Sequence, residues 1–291
     1  MFRYPESATD TILQEISTDL WTLEAPDFIY FRPPIQPKMP YPHRSVIVRL
    51  ADGSLMVISP IKLTTEVKKT VDELGELRHI LSPNAIHHLH MGQWQEAYPD
   101  ARMYASPRLP GRRKELQFDA VLTSAPEDAW ADQVDQCIFG ESGFLPEVVF
   151  HHRASRTAVF TDLIMDFDPR ILTPVSRITS RLNQMYRHTP RGVQLANNAG
   201  REDSRKALQT IRHWSAEHLV VSHSPWLCVD GANDVEAVLD VAFDWLLERS
   251  AFAETVNRGV RASVGLAIWP LHSLVSYLLD DLLPRVTKSR T

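Results

Sequence analysis

The sequence predicts an α/β fold, and three observations carry that prediction. Short β-branched runs alternate with segments of helical spacing, the pattern of a sheet covered by helices. Two pairs of these runs are joined by short turns and read as hairpins. Histidines and an aspartate follow the ends of apolar runs, where the sites of α/β sheets assemble.

The elements follow in order. Residues 1–20 mix polar and apolar types and read as a lead-in; 21–230 hold the elements of one domain, and 231–291 read as a helical C-terminal extension. Trp21 opens a short strand. Pro33, Pro34, Pro37, Pro40 and Pro42 forbid a helix and predict an extended loop. The runs 45–50 and 54–58 flank Asp52-Gly53, a hairpin signal. Residues 64–74 have helical spacing, with Thr64 or Thr65 as N-cap and Gly75 as stop. A strand over 78–82 is broken by Pro83-Asn84; a short helix over 88–98 and a strand over 101–105 follow. Residues 106–146 are turn-rich and yield no assignment. The runs 147–152 and 157–161 make a second hairpin. Arg170, Arg177, Arg181, Arg187 and Arg191 crowd the next stretch. A helix over 203–214, a strand over 218–222 and a helix from Asn233 through Arg249 complete the domain and open the extension. The stretch 262–279 is free of Asp, Glu, Lys and Arg, with Val264, Ile268, Leu271, Val275 and Leu278 on one helical face. A packed or partner-facing helix is the expectation there, with membrane contact as the less favoured alternative.

Composition narrows the function. The chain has 291 residues, 44% hydrophobic and 23% charged, ordinary for a globular protein. Such a length buries about 75% of the unfolded surface, so folding alone needs no metal or disulfide. A net charge of −5 argues against a nucleic-acid partner. Cys137 and Cys228 are too few for a disulfide framework and read as packing residues of a reducing compartment. The N-terminus lacks a basic patch followed by an apolar run, so the expected localisation is cytoplasmic. No phosphate-binding glycine loop, dinucleotide fingerprint, His-Glu-x-x-His or Gly-x-Ser-x-Gly is present.

Twelve histidines stand out, and three groups of candidate ligands close apolar β runs. His87, His88 and His90 follow the strand at 78–82; His152 ends the run at 147–150, with Asp162 after the next strand; His223 follows 219–222. Imidazole and carboxylate ligands on several loops suit Zn, Fe or Mn.

That order resembles the metallo-β-lactamase-like superfamily over roughly residues 20–230. The resemblance implies an αββα sandwich with metal ligands on loops at one edge. His152, then Val159-Phe-Thr-Asp162, resemble the family's later His and its bridging Asp; Val220-Val-Ser-His223 resembles the final His. Asp52-Gly-Ser-Leu, Ser59-Pro60, Pro83-Asn84 with His87-His88, Trp94, Tyr98-Pro99, Ala105-Ser-Pro107 and 150–162 together resemble an uncharacterised subgroup of that superfamily. The first family motif, His-x-His-x-Asp-His, is incomplete. If Gly92 matches the glycine after it, His87 and His90 take ligand positions; a slip of one residue puts Asn84 and His88 there. Both registers stay open, and both lack the acidic residue that binds a second metal. Ser59-Pro60 also replaces an Asp-containing turn common in the family. One divalent metal is therefore expected rather than two, Zn first, with Fe or Mn as alternatives.

The resemblance implies a metal-dependent hydrolase of a small molecule, with metal-activated water attacking an ester, thioester, lactone or phosphoester. His87, His88 or Asp162 would serve catalysis, and Asn84, Ser155 and Thr157 would hydrogen-bond the ligands. Arg181, Arg187 and Trp94 are candidate substrate contacts. The alternative is an inactive binding or interaction module on the same fold, with a degenerate metal site.

Overall fold

Strands whose residues are apolar on both faces must be covered on both faces, and this chain does so with two sheets and two helical layers. The computed structural model describes residues 12–25, 29–31, 39–198, 200–224 and 229–247. In chain order the strands are β1 (Ile12–Ser17), β2 (Leu20–Glu24), β3 (Ile29–Phe31), β4 (Met39–Tyr41), β5 (Arg44–Arg49), β6 (Leu55–Ile58), β7 (Leu77–Leu81), β8 (Arg102–Ala105), β9 (Ala120–Val121), β10 (Val134–Phe139), β11 (Glu147–His152), β12 (Thr157–Asp166), β13 (Tyr186–His188), β14 (His218–His223) and β15 (Val229–Asp230). The helices are α1 (Thr65–Leu74), α2 (Met91–Ala97), α3 (Leu109–Arg112), α4 (Pro174–Leu182), α5 (Arg191–Ala196), α6 (Arg201–His213), α7 (Ala232–Ala242) and α8 (Asp244–Leu247).

One sheet runs β1-β2-β5-β6-β7-β8-β9, and the other runs β10-β11-β12-β14-β15 with β13 beside β12. Side-chain alternation sorts the core into layers. Val46, Val48, Met56 and Ile58 meet Val148, Phe150, Val159 and Val220 between the sheets. Ile47, Leu55 and Val57 turn the other way, under Val67 and Val71 of α1 and Met91 and Trp94 of α2. Val149, Leu219 and Val221 lie beneath Leu208 and Ile211 of α6 and Val235 and Leu239 of α7. The result is helix, sheet, sheet, helix: the αββα sandwich.

Several elements differ from the sequence expectations. Residues 12–17, within the expected lead-in, pair with β2 as an edge strand. The helix expected from His88 starts at Met91, because residues 84–90 close a hydrogen-bonded loop first. The turn-rich middle holds α3, β9 and β10; Asp135 and Gln136 interrupt the apolar run of β10 and hide it. The helix expected to reach Arg249 ends as α7 at Ala242, and α8 follows it. Cys137 is buried in the core under α6 and α7. Cys228, Trp226, Arg249 and the stretch 262–279 lie outside the described residues. Among the described residues, no helix is long and apolar enough to cross a membrane.

Candidate metal centre

Three short-range devices shape the loop after β7. Ser82 Oγ donates to the carbonyls of Asn84 (2.8 Å) and His87 (2.9 Å). Asn84 Oδ1 accepts the amides of Ile86 (2.8 Å) and His87 (3.1 Å). The Pro83 carbonyl accepts the Val148 amide at 2.8 Å, which ties the loop to β11 of the opposite sheet. Together they direct the His87 ring at β12.

On β12, Asp162 falls where pairing with β14 changes register, between Phe160 and Met165. It lies within β12, which continues to Asp166, five residues beyond the expected strand end. His223 is the last residue of β14. His87 Nε2 is 3.3 Å from Asp162 Oδ2, His223 Nε2 is 3.2 Å from Asp162 Oδ1, and the two Nε2 atoms are 3.2 Å apart. Among the described residues, this is the one trio of His, Cys, Asp or Glu whose ligand atoms all lie within 4.8 Å of one another. All three side chains are buried.

Hydrogen bonds on the far side of each ring fix which nitrogen faces inward. The Pro42 carbonyl, 2.6 Å from His223 Nδ1, can only accept, so Nδ1 carries a hydrogen and the neutral ring turns a lone pair on Nε2 inward. Ser59 Oγ holds His87 Nδ1 at 2.6 Å. Ser59 itself sits at φ 59°, a left-handed backbone that a serine adopts at a cost. Two imidazole nitrogens and a carboxylate that converge so closely need a proton or a cation between them. The donor set thus fits a divalent metal: two imidazoles and one carboxylate, as in catalytic sites that keep a further position open.

Charge follows the same geometry. Burial would lower the His87 imidazole, but Asp162 and then Glu147 outweigh it, and the net direction is up. Burial would raise Asp162; His87 and His223 overcome it and hold the carboxyl far below the ordinary range. Glu147 is raised by burial and by Asp162 beside it. Its two oxygens accept the amides of Thr161 and Asp162, each at 2.8 Å. Asn84 Nδ2 bridges the pair, 2.8 Å from Asp162 Oδ2 and 3.0 Å from Glu147 Oε2.

Of the predicted residues, the structure brings His87, Asp162 and His223 together and adds Asn84 at the carboxylates. Neither motif register holds entire, because His87 comes from one and Asn84 from the other. His88 turns away: its Nδ1 lies 2.6 Å from an Arg113 nitrogen, and burial followed by Arg113 and Arg112 pushes its imidazole down to about 3. His90 precedes α2 and stacks on His43 with ring centroids 6.0 Å apart.

The structure corrects the placements of His152, Ser155, Thr157 and Trp94. His152 pairs with Thr157 at the closed end of the β11–β12 hairpin, five residues along the strand from Asp162, about 17 Å away. There its Nδ1 meets Ser155 Oγ at 2.7 Å, and Ser155 Oγ meets Thr157 Oγ1 at 2.7 Å. All three therefore serve the hairpin turn and not the metal centre. Trp94 is fully buried under α1, donating Nε1–H to the Ile61 carbonyl at 2.7 Å, so no substrate reaches it. Arg187 Nε pairs with Asp166 at 3.2 Å, and Arg181 projects from α4 into solvent.

Four residues near the centre were not expected. Glu147 was legible: the hairpin register that sets His152 against Thr157 carries Glu147 to Asp162. Ser59 follows β6, where the sequence marked Ser59-Pro60 only as the replacement of an Asp-containing turn, and His43 precedes β5 with nothing in its local sequence to mark it. His43 is buried beside the Tyr41 backbone, and no side chain hydrogen-bonds either ring nitrogen. Burial, then His90, His223 and His87, hold it well below its ordinary value, against the Tyr41 backbone. Tyr41 itself packs edge-on to the His223 ring at 5.5 Å.

A family model described as "Domain of unknown function (DUF4336)" matches residues 20–199. No curated protein matches the sequence. Among solved structures, the chain is similar to a metallo-β-lactamase from Pontibacter korlensis, with 12% identity over 82% of this chain and 100% of that one, at a TM-score of 0.51. It is also similar to rubredoxin oxygen:oxidoreductase from Desulfovibrio gigas (11% identity, 82% of this chain, 63% of that one, TM-score 0.57). The Flv1 flavodiiron core from Synechocystis sp. PCC6803 gives 13% identity, 83% and 62% coverage, and a TM-score of 0.57. The chain spans less than two thirds of those last two chains. At these identities the likeness establishes the fold: the sandwich is that of the metallo-β-lactamases.

Proposed function

The chain belongs to the DUF4336 family, a domain of unknown function, and from that membership and the site above we propose that it is a metal-dependent hydrolase of a small ester, thioester, lactone or phosphoester. One observation carries this reading: two imidazole Nε2 atoms and one carboxylate converge within 3.3 Å in a buried site, with the His223 tautomer fixed by a backbone carbonyl.

His87, Asp162 and His223 would hold the ion. Zn suits this set best, and Fe or Mn accept the same donors. A bound divalent ion supplies Lewis acidity and activates water at neutral pH. The chain's own residues do the rest. Asn84 and the Glu147-anchored backbone orient the Asp162 carboxylate. Ser59 and the Pro42 carbonyl aim the two rings. His43, buried beside them with no side-chain partner, offers a hydrogen-bonding group to substrate.

Elemental analysis of protein purified without added metal tests the reading. About one equivalent of Zn, Fe or Mn is expected, lost in the His87→Ala/His223→Ala variant, together with hydrolysis of at least one of a panel of aryl esters, thioesters, lactones and phosphodiesters. No metal after reconstitution overturns the metal centre. Full metal occupancy without turnover of any panel member favours the binding module.

A further inference from the structure

Helix α4 is built inside out. Its buried residues are Ser176 and Ser180, while Val175, Ile178 and Leu182 are 55%, 59% and 62% exposed. Steps of three and four place those aliphatic residues on one outward edge. Arg177 and Arg181, both exposed, line one flank of that edge. Arg170, before the helix, and Arg187, after it, are exposed beside the border, each paired with an aspartate, Asp168 and Asp166, so Arg177 and Arg181 carry its positive charge.

The helix is held firmly in this orientation. Thr173 caps it, its Oγ1 accepting the Ser176 amide at 3.2 Å. Arg177 Nε donates to the carbonyls of Pro169 (2.7 Å) and Leu172 (3.1 Å). The segments around it pack through Met165, Phe167, Leu172 and Met185 against Tyr41, whose ring meets His223. The apolar edge therefore stands on the same rim of the sandwich as the metal centre. Leu89, 47% exposed in the His87 loop, adds an apolar residue to that rim.

We propose that α4 is a docking surface for an anionic lipid bilayer, with Val175, Ile178 and Leu182 entering the interface and the arginine border facing lipid headgroups. Aliphatic residues beside a cationic flank match an acyl boundary below negative headgroups. A second copy of the chain would lay arginines against arginines unless the apolar edges crossed, so charge favours the bilayer. The inference stands apart from the proposed chemistry, since docking needs no turnover.

Co-sedimentation of the full chain with vesicles tests it, using phosphatidylcholine alone and with one third phosphatidylglycerol. The expected result is selective binding to the anionic vesicles, weakened by raised salt. Binding should fall at least tenfold in Val175→Ser/Ile178→Ser/Leu182→Ser and several-fold in Arg181→Glu. Because these side chains are exposed, unchanged circular dichroism and melting confirm that the variants fold. Failure of the wild type to bind either vesicle overturns the proposal. So does a triple variant that binds like the wild type, which would assign binding to another segment such as 262–279. A dimer in solution that the triple variant abolishes, without vesicle binding, assigns the face to a second copy and also overturns it. Metal content is measured on the same samples, so failure of docking and failure of the metal centre remain separate results.

Discussion

Ser59 touches no reacting atom, yet it settles the direction of His87 by holding Nδ1 at 2.6 Å from a strained left-handed position. Removing such an outer hydrogen bond typically lowers metal affinity 10–100-fold. Ser59→Ala should show that loss in competition with a chromophoric chelator, while its circular dichroism stays unchanged. The same scale shows where the sequence was legible. His87, Asp162 and His223 were visible as ligand types at the ends or edges of apolar runs. Glu147 and His152 exchanged parts because the chemical signal, a histidine, outweighed the register of their hairpin. A strand of period two and a four-residue turn set position 147, not 152, beside 162. His43 went unmarked, and Ser59 was marked only as a turn residue, since only the tertiary approach of β5 and β6 to the His87 loop gives them a role.

Among the elements, β11 carries the heaviest structural duty. It pairs with β10 and β12, its Phe150 fills the layer between the sheets, and its Glu147 anchors Asp162. Phe150→Ala should cost about 3–5 kcal/mol in urea denaturation, as for other buried phenylalanines. At the opposite extreme, Val121→Ala on the exposed short β9 should stay within about 0.5 kcal/mol. Hairpins and long strands were readable because both faces are buried and the runs are continuously apolar. The stretch 106–146 was not, since β9 is two residues long and the adjacent Asp135 and Gln136 break the apolar run of β10. α4 misleads in a third way: its amphipathic spacing is genuine, but the apolar side faces outward.

Across the whole molecule, the metal centre joins the two sheets. His87 belongs to the loop after β7 of the first, and Asp162 and His223 belong to the second. An ion held by all three binds the folded chain and not the unfolded one, so it stabilises by mass action, about 4 kcal/mol at a thousandfold excess over its dissociation constant. Calorimetry should show a melting temperature that rises with added Zn and falls with a chelator, and neither shift in His87→Ala/His223→Ala. His87 and His223 are also 136 positions apart in the chain. Loop closure over that distance comes late, because its entropy must be met before the contact rewards it. A ribosome that has released everything through β12 has therefore exported two of the three ligands and no finished site. If the site holds an ion, its capture during biosynthesis would wait for β14 to slot in beside β12, and a chain terminated before residue 223 would lack the third ligand.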